Sequence, residues 1–155
     1  MIAQIVTLAG VLIGALTSFL ATTVAERTRH RRAMATRWDE RKLTTYIEYA
    51  ACVKEISSTA KRARRAADDS DERREHLAAM EAAELRRSVL FETLVLLASP
   101  AAIRSAHEVN RVLWQEENSA RAGAAAVDEP GHTLIDLINR YHEQARADLG
   151  VPHGI

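Results

Sequence analysis

The chain has little of several residue types whose abundance marks other classes of protein. Of its 155 residues one is cysteine, three are proline and six are glycine, and aromatic residues make up 5%. A single thiol, Cys52, excludes an intramolecular disulfide and agrees with a reducing compartment, and we expect it to be buried and inert. Alternating apolar patterns and hairpin signals are also missing, which disfavours a β-fold. Ala, Arg, Glu and Leu dominate instead, and this composition predicts an all-α protein.

Motifs that would indicate catalysis are missing as well. The sequence contains no Walker A motif, no Gly-x-Gly-x-x-Gly, no Gly-x-Ser-x-Gly and no His-Glu-x-x-His. We therefore predict a protein that is not an enzyme and that uses no cofactor and no metal.

Charge is missing from one long segment at the amino end. Residues 2–25 carry no charged side chain, and as a helix they would span about 36 Å, enough to cross a hydrocarbon core of about 30 Å. This pattern predicts a single transmembrane anchor at residues 1–25. The alternative is a cleaved signal and a secreted helical protein. It is disfavoured because the start lacks Lys and Arg and because the apolar run exceeds about 15 residues.

The segment that follows is strongly basic. Residues 27–42 contain seven Lys or Arg, which predicts a single-pass protein of the cytoplasmic membrane with its N-terminus outside and the rest in the cytoplasm. We expect residues 26–42 to run into the first soluble helix and to contact anionic head groups of the bilayer, at about 1 kcal/mol per basic residue near the surface. The predicted membrane-surface residues are Arg27, Arg29, Arg31 and Arg32.

Small residues share one face of the predicted anchor. Gly10, Gly14 and Ser18 recur at four-residue spacing, which allows two helices to approach closely and predicts a face for a homo-oligomer.

The net charge of zero conceals an uneven distribution. Residues 26–67 hold 12 Lys or Arg against 5 Asp or Glu, whereas residues 68–118 hold 6 against 11. Nucleic-acid binding through the basic part is an alternative. The membrane already accounts for that charge, so a nucleic-acid partner is not expected.

Residues 43–155 are predicted to form an antiparallel bundle of about four helices, at 43–67, 71–98, 100–118 and 132–149. Ser99 and Pro100 are typical of a helix start, Gly150 of a helix end, and residues 119–131 of a loop. The stretch 89–97 is apolar nearly all round, so we expect it to be the most buried part. Predicted inner faces include Trp38, Leu43, Ile47, Trp114 and Ile135.

Three polar residues lie within apolar stretches of this pattern. Glu92 would need a basic partner if buried, and His107 and Asn110 would form hydrogen bonds that fix the register of the bundle. We predict all three as buried polar groups. The alternative is a ligand- or pH-responsive sensor that uses this polar site.

Several motifs resemble a family of small actinobacterial membrane-anchored helical proteins with an Arg-Trp-Asp motif, an Asp-Leu-Gly-Val ending and no established function. The resemblance implies an N-terminal membrane anchor and brings no established activity with it. It rests on Arg37-Trp38-Asp39-Glu40-Arg41-Lys42-Leu43, Glu92-Thr93-Leu94-Val95-Leu96-Leu97, Val112-Leu113-Trp114 and Ala145-Arg146-Ala147-Asp148-Leu149-Gly150-Val151.

These observations predict a membrane-anchored cytoplasmic module for protein–protein interaction or scaffolding, with an unknown protein partner. Aromatic and Arg residues are common at such interfaces. The predicted interaction surface consists of Arg37, Trp38, Asp39 and Arg41. In the alternative, structural role, Trp38 packs where the anchor meets the bundle and Asp39 bonds a neighbouring Arg.

Overall fold

The computed structural model describes residues 37–123 and 133–151. These residues contain four α-helices and no strand, which confirms the all-α prediction and the number of helices. The helices are α1 at 37–65, α2 at Asp71–Leu97, α3 at Pro100–Arg121 and α4 at Leu134–Asp148. The largest difference at a described end is in α3, which continues three residues beyond the predicted end at 118.

Local sequence fixes the helix ends. Ser70 and Ser99 are the N-caps of α2 and α3, and each side chain accepts a hydrogen bond from a backbone N–H three residues on. At α4, Thr133 and Asp136 form a capping box. Gly150 has φ +67°, and the Val151 N–H donates to the carbonyl of Arg146 at 2.9 Å. This Schellman motif ends α4 at the predicted glycine.

The contacts of α1 with α2 and α4 show how these helices are arranged. Glu55 on α1 pairs with Arg86 on α2 at 2.6 Å, and the carbonyl of Ala63 accepts from Arg73 at 3.1 Å, so α1 and α2 are antiparallel. On α4, Tyr141 donates to the carbonyl of Tyr46 at 3.2 Å.

The remaining pairs complete the arrangement. Glu108 on α3 pairs with Arg140 on α4 at 3.2 Å, whereas Ser57 on α1 donates to Glu116 on α3 at 2.7 Å. Tyr49 and Ser57 on α1 contact Asn110 and Glu116 on α3 in the same order, so α1 and α3 are parallel. The contacts of α2 with α3 and of α4 with α1 run in reverse order, so neighbours in sequence are antiparallel. Because α1 contacts the other three helices and α2 does not contact α4, α2 and α4 lie on opposite sides of the α1–α3 pair.

The core forms where the inner faces of all four helices meet. Tyr49 and Tyr141 pack with ring centroids 5.1 Å apart, and Phe91 lies on the other side of Tyr49 at 6.4 Å. Each aromatic ring buries a large apolar area, so these three rings supply much of the core although the chain has few aromatic residues. Other fully buried side chains are Val53, Ile56, Met80, Leu94, Val109 and Leu113. Cys52 is also buried, as predicted.

The prediction that 89–97 is the most buried stretch is wrong. Of the apolar residues there, Leu94 is 1% exposed, but Val89 is 59% and Leu96 83% exposed. One face of α2 meets α1 and α3, and no described helix covers the opposite face. The prediction is also wrong for five inner-face residues on α1, α3 and α4 that the structure exposes, namely Trp38, Leu43, Ile47, Trp114 and Ile135.

Several predictions concern residues outside the described ranges. They are the anchor at 1–25 with Gly10, Gly14 and Ser18, the basic residues Arg27, Arg29, Arg31 and Arg32, and part of the loop at 119–131. Among the residues that the structure does describe, no helix is both long enough and apolar enough to cross a membrane.

Candidate functional site

A series of polar side chains crosses the interior between α1, α2 and α3. The hydroxyl of Tyr49 donates to Oδ1 of Asn110 at 2.6 Å and lies 3.1 Å from the carbonyl oxygen of Ala106. Arg87 on α2 donates to the same Oδ1 through Nη1, also at 2.6 Å. Because a carbonyl oxygen has two lone pairs, Asn110 satisfies both donors and joins α3 to its two neighbours.

Two carboxyl groups continue this polar network. Arg87 donates through Nε to Glu84 at 2.7 Å, and Glu84 is hydrogen-bonded to Glu117 on α3. Glu117 is only 2% exposed, and Nη2 of Arg121 lies 3.4 Å from its Oε2. Two acids and two guanidinium groups therefore lie within reach of one another inside or at the edge of the bundle. We call Tyr49, Glu84, Arg87, Asn110 and Glu117 the interior polar network.

The two carboxyl groups differ in their affinity for protons. Burial raises the pKa of Glu117 from 4.5 to about 7, and the adjacent charge of Glu84 adds to the rise. Burial acts in the same direction on Glu84, but the hydrogen bonds and charge of Arg87 outweigh it and lower the pKa of Glu84. Just below pH 7, where Glu117 is protonated and Glu84 is still ionised, the pair shares one proton, which Glu117 donates to the Glu84 carboxylate.

An open groove of about 420 Å³ lies beside this network, between α2 and α3. Trp114 is 63% exposed, and the His107 ring stands edge-on to Phe91 with centroids 4.7 Å apart. These aromatic rings and the nearby guanidinium groups fit an apolar or aromatic group that carries an anion beside it. We call this the α2–α3 groove; its residues include Arg87, Phe91, His107, Asn110, Arg111 and Trp114.

A second polar cluster joins the helix ends near Asp148. Its carboxylate accepts from the hydroxyl of Tyr46 at 2.5 Å and from the backbone N–H of Ser99 at 3.1 Å, and it lies 3.5 Å from the ammonium of Lys42. Burial would raise the pKa of Asp148, but these three partners lower it. The cluster holds α1, α4 and the α2–α3 turn together, so its role is structural.

None of the three polar residues predicted as buried is fully buried, but Asn110 is half-buried and forms the predicted hydrogen bonds between helices. Asn110 lies at the centre of the interior polar network. The prediction is wrong for Glu92 and His107, which are both exposed, because Glu92 points away from the core on the uncovered side of α2 and His107 lies at the edge of α3. His107 instead forms part of the groove wall.

The structure exposes the side chains of Arg37, Trp38, Asp39 and Arg41 on α1. Trp38 is 52% exposed. Their role as an interaction surface stays a prediction.

Four residues of the interior polar network were missed, although helical periodicity contained a signal for two of them. Arg87 stands seven residues after Met80 and seven before Leu94, so it falls on the buried face of α2. Glu117 stands four residues after the buried Leu113. Helical periodicity could have identified these charged residues at inward positions, but it could not have identified their partners on other helices.

Within the described ranges, no group of three or more His, Cys, Asp or Glu is placed to hold a metal ion. Comparison of the chain with models of protein families, with curated proteins and with solved structures finds no match. The resemblance to small actinobacterial anchored proteins therefore stays a prediction from the sequence.

Proposed function

We propose that this chain is a membrane-anchored module for protein–protein interaction. Residues 2–25 serve as the anchor, the basic residues from Arg27 onward face anionic head groups on the cytoplasmic side, and the bundle binds a protein partner. The uncharged segment and its basic flank support the location, because guanidinium groups resist transfer across the bilayer. A rigid bundle with exposed apolar side chains suits binding.

The observation that carries the interaction role is the α2–α3 groove. Trp114 is one of the largest side chains in the protein, and it is left 63% exposed beside Phe91 and His107. Exposed aromatic residues gathered around a groove mark binding surfaces, and Trp and Arg carry much of the energy of such interfaces. The partner that fits has an apolar or aromatic side chain flanked by carboxylates, which Arg111 would attract.

A photoreactive residue placed at Trp114 tests this proposal. In membranes of cells that produce the full chain, illumination should give a discrete protein adduct at position 114 and none at Lys61, an exposed position on α1. Arg111→Glu should reduce the adduct several-fold by charge repulsion, whereas Arg62→Glu on α1 should leave it unchanged. Equal yields at positions 114 and 61, or no adduct at either, would contradict the proposal.

A second candidate function is a response to pH, which the Glu84–Glu117 pair favours. A carboxyl group with a pKa of about 7 changes charge in the physiological range, and Glu117 is linked through Glu84 to Arg87 in the wall of the groove. Loss of its proton would place two negative charges beside Arg87 and alter the groove. The adduct yield at Trp114 would then change between pH 6 and pH 8, and Glu117→Gln would abolish that change.

A further inference from the structure

The outward side of α2 carries a regular apolar pattern that the bundle does not use. Six exposed residues follow one another at spacings of four, three, four, three and four, and five of them are apolar. Alternation of three and four is the spacing of a coiled-coil seam. We call this set the α2 seam; its residues are Ala78, Ala82, Leu85, Val89, Glu92 and Leu96.

The seam is more apolar than an ordinary exposed helix face. Leu85 is 70%, Val89 59% and Leu96 83% exposed. The opposite face of α2 already packs in the core through Met80 and Leu94. A helix that is apolar on two faces is typical of one packed on both sides. The bundle covers only one of these faces.

The pattern along the seam is self-complementary when two copies run in opposite directions. With a twofold axis near residue 87, Leu85 meets Val89 of the second copy and the small Ala78 meets the large Leu96. Ala82 then faces Glu92, whereas a parallel pair would set Glu92 against Glu92. The axis also passes near Arg86, whose charge is balanced by Glu55 at 2.6 Å, so each copy brings a neutral pair.

We propose that a second copy of this chain packs its α2 antiparallel on the α2 seam. This inference rests on the proposed interaction function and names one partner for it. The seam lies on the outward side of α2 and leaves Trp114 on α3 available, so one copy can join another and still bind a different protein through the groove.

Disulfide crosslinking between two differently tagged full-length copies tests the arrangement. Cys52→Ala removes the native thiol from both, one copy carries Ala78→Cys, and the other carries Leu96→Cys. These positions are 18 residues apart, or about 27 Å along the helix, so only an antiparallel pair brings them together. In isolated membranes the mixed 78–96 disulfide should form about ten-fold faster than the disulfide between two Lys61→Cys copies.

Other outcomes would overturn the inference. Disulfides that form only between like positions would indicate a parallel pair. A 78–96 disulfide that forms no faster than the Lys61→Cys disulfide would indicate random encounters between copies or pairing through residues 10–18 alone. Leu85→Glu with Val89→Glu should abolish the mixed disulfide and leave the helix content of the chain unchanged, because both side chains are exposed in the single chain. The adduct at Trp114 with another protein is measured separately, so loss of the seam contact would leave the proposed function standing.

Discussion

At the scale of single residues, Glu117 is the group whose behaviour depends most on the fold. Its unfolded pKa is near 4.5, and burial beside Glu84 raises the pKa in the folded protein to about 7. The folded state therefore binds a proton more tightly than the unfolded state does. The resulting stability is fully present below pH 4.5 and is lost as the pH rises through about 7.

Glu117→Gln should reverse this loss, because glutamine has the shape of the protonated acid and cannot ionise. The free energy of unfolding of the variant minus that of the wild type should increase from pH 5 to pH 8. The increase is at most about 3 kcal/mol, because it is set by the shift in the pKa of Glu117 in the wild type. Chemical denaturation of the full chain in detergent at a series of pH values measures the difference.

The comparison between the two proteins isolates Glu117 from other titrating groups. Burial and the charge of Lys54 lower the pKa of His142. His142 therefore makes stability rise with pH up to about 6.5, its ordinary pKa, but this effect is the same in the wild type and in the variant. The exposed Glu143→Gln is a matched control and should follow the wild type. A Glu117→Gln profile parallel to that of the wild type would contradict the pKa assignment.

Gly150 allows a simple test of backbone conformation. Its φ of +67° ends α4, and a Cβ added there would meet nothing within 4 Å. Gly150→Ala should therefore cost about 1 kcal/mol of stability through the left-handed conformation alone, and Gly150→Asn less, because Asn tolerates that conformation. Thermal denaturation of the two variants gives the order. Equal stability of Gly150→Ala and the wild type would show that the Schellman turn does not form.

At the scale of helices, the sequence predicts ends better than faces. A cap such as Ser99 before Pro100, or a glycine such as Gly150, acts on its own first or last turn, so local sequence suffices. Whether an apolar face is covered depends on where other helices lie. Val89 and Leu94 are equally apolar in the sequence, yet one is 59% and the other 1% exposed.

The interior polar network shows the same limit for the candidate site. The position of Asn110 within an apolar stripe predicted hydrogen bonds across the bundle, and Asn110 makes them, although it is only half-buried and lines the α2–α3 groove. Its partners could not be predicted, since Tyr49 and Arg87 come from helices 61 and 23 residues away. His107, only three residues from Asn110, lies on the exposed side.

Arg73 joins the ends of three helices. From the first turn of α2 it donates to the carbonyl of Ala63 at 3.1 Å and to those of Ala120 and Arg121 at 2.9 and 3.2 Å. These acceptors are carbonyls in the last turns of α1 and α3, where few helical N–H donors remain. A guanidinium group there stabilises both ends.

Arg73→Ala should lower the free energy of unfolding by about 2 kcal/mol, because charged hydrogen bonds to partly buried carbonyls are lost. Arg74→Ala next to it is the matched control and should cost less than about 0.5 kcal/mol, since Arg74 is exposed and pairs with an exposed Asp71. Urea denaturation of both variants measures the costs. Equal costs would show that Arg73 does not hold the helix ends.

At the scale of the whole molecule, the arrangement of four helices separates three roles. The α1–α3 pair and the aromatic core give a rigid body. The α2–α3 groove is the proposed site for a protein partner, and the α2 seam the proposed site for a second copy. Both surfaces exist because α2 lies on one side of the α1–α3 pair, away from α4.

The proposed function depends on attachment of the bundle to a membrane through residues 2–25. The most direct measurement is extraction of membranes from cells that produce the full chain, with alkaline carbonate and then with detergent. The wild type should stay in the carbonate-washed pellet and be released by detergent, and a variant with Leu12→Arg and Leu16→Arg should move to the carbonate supernatant, because two central charges oppose insertion. Recovery of the intact wild-type chain in the soluble fraction without detergent would contradict the account.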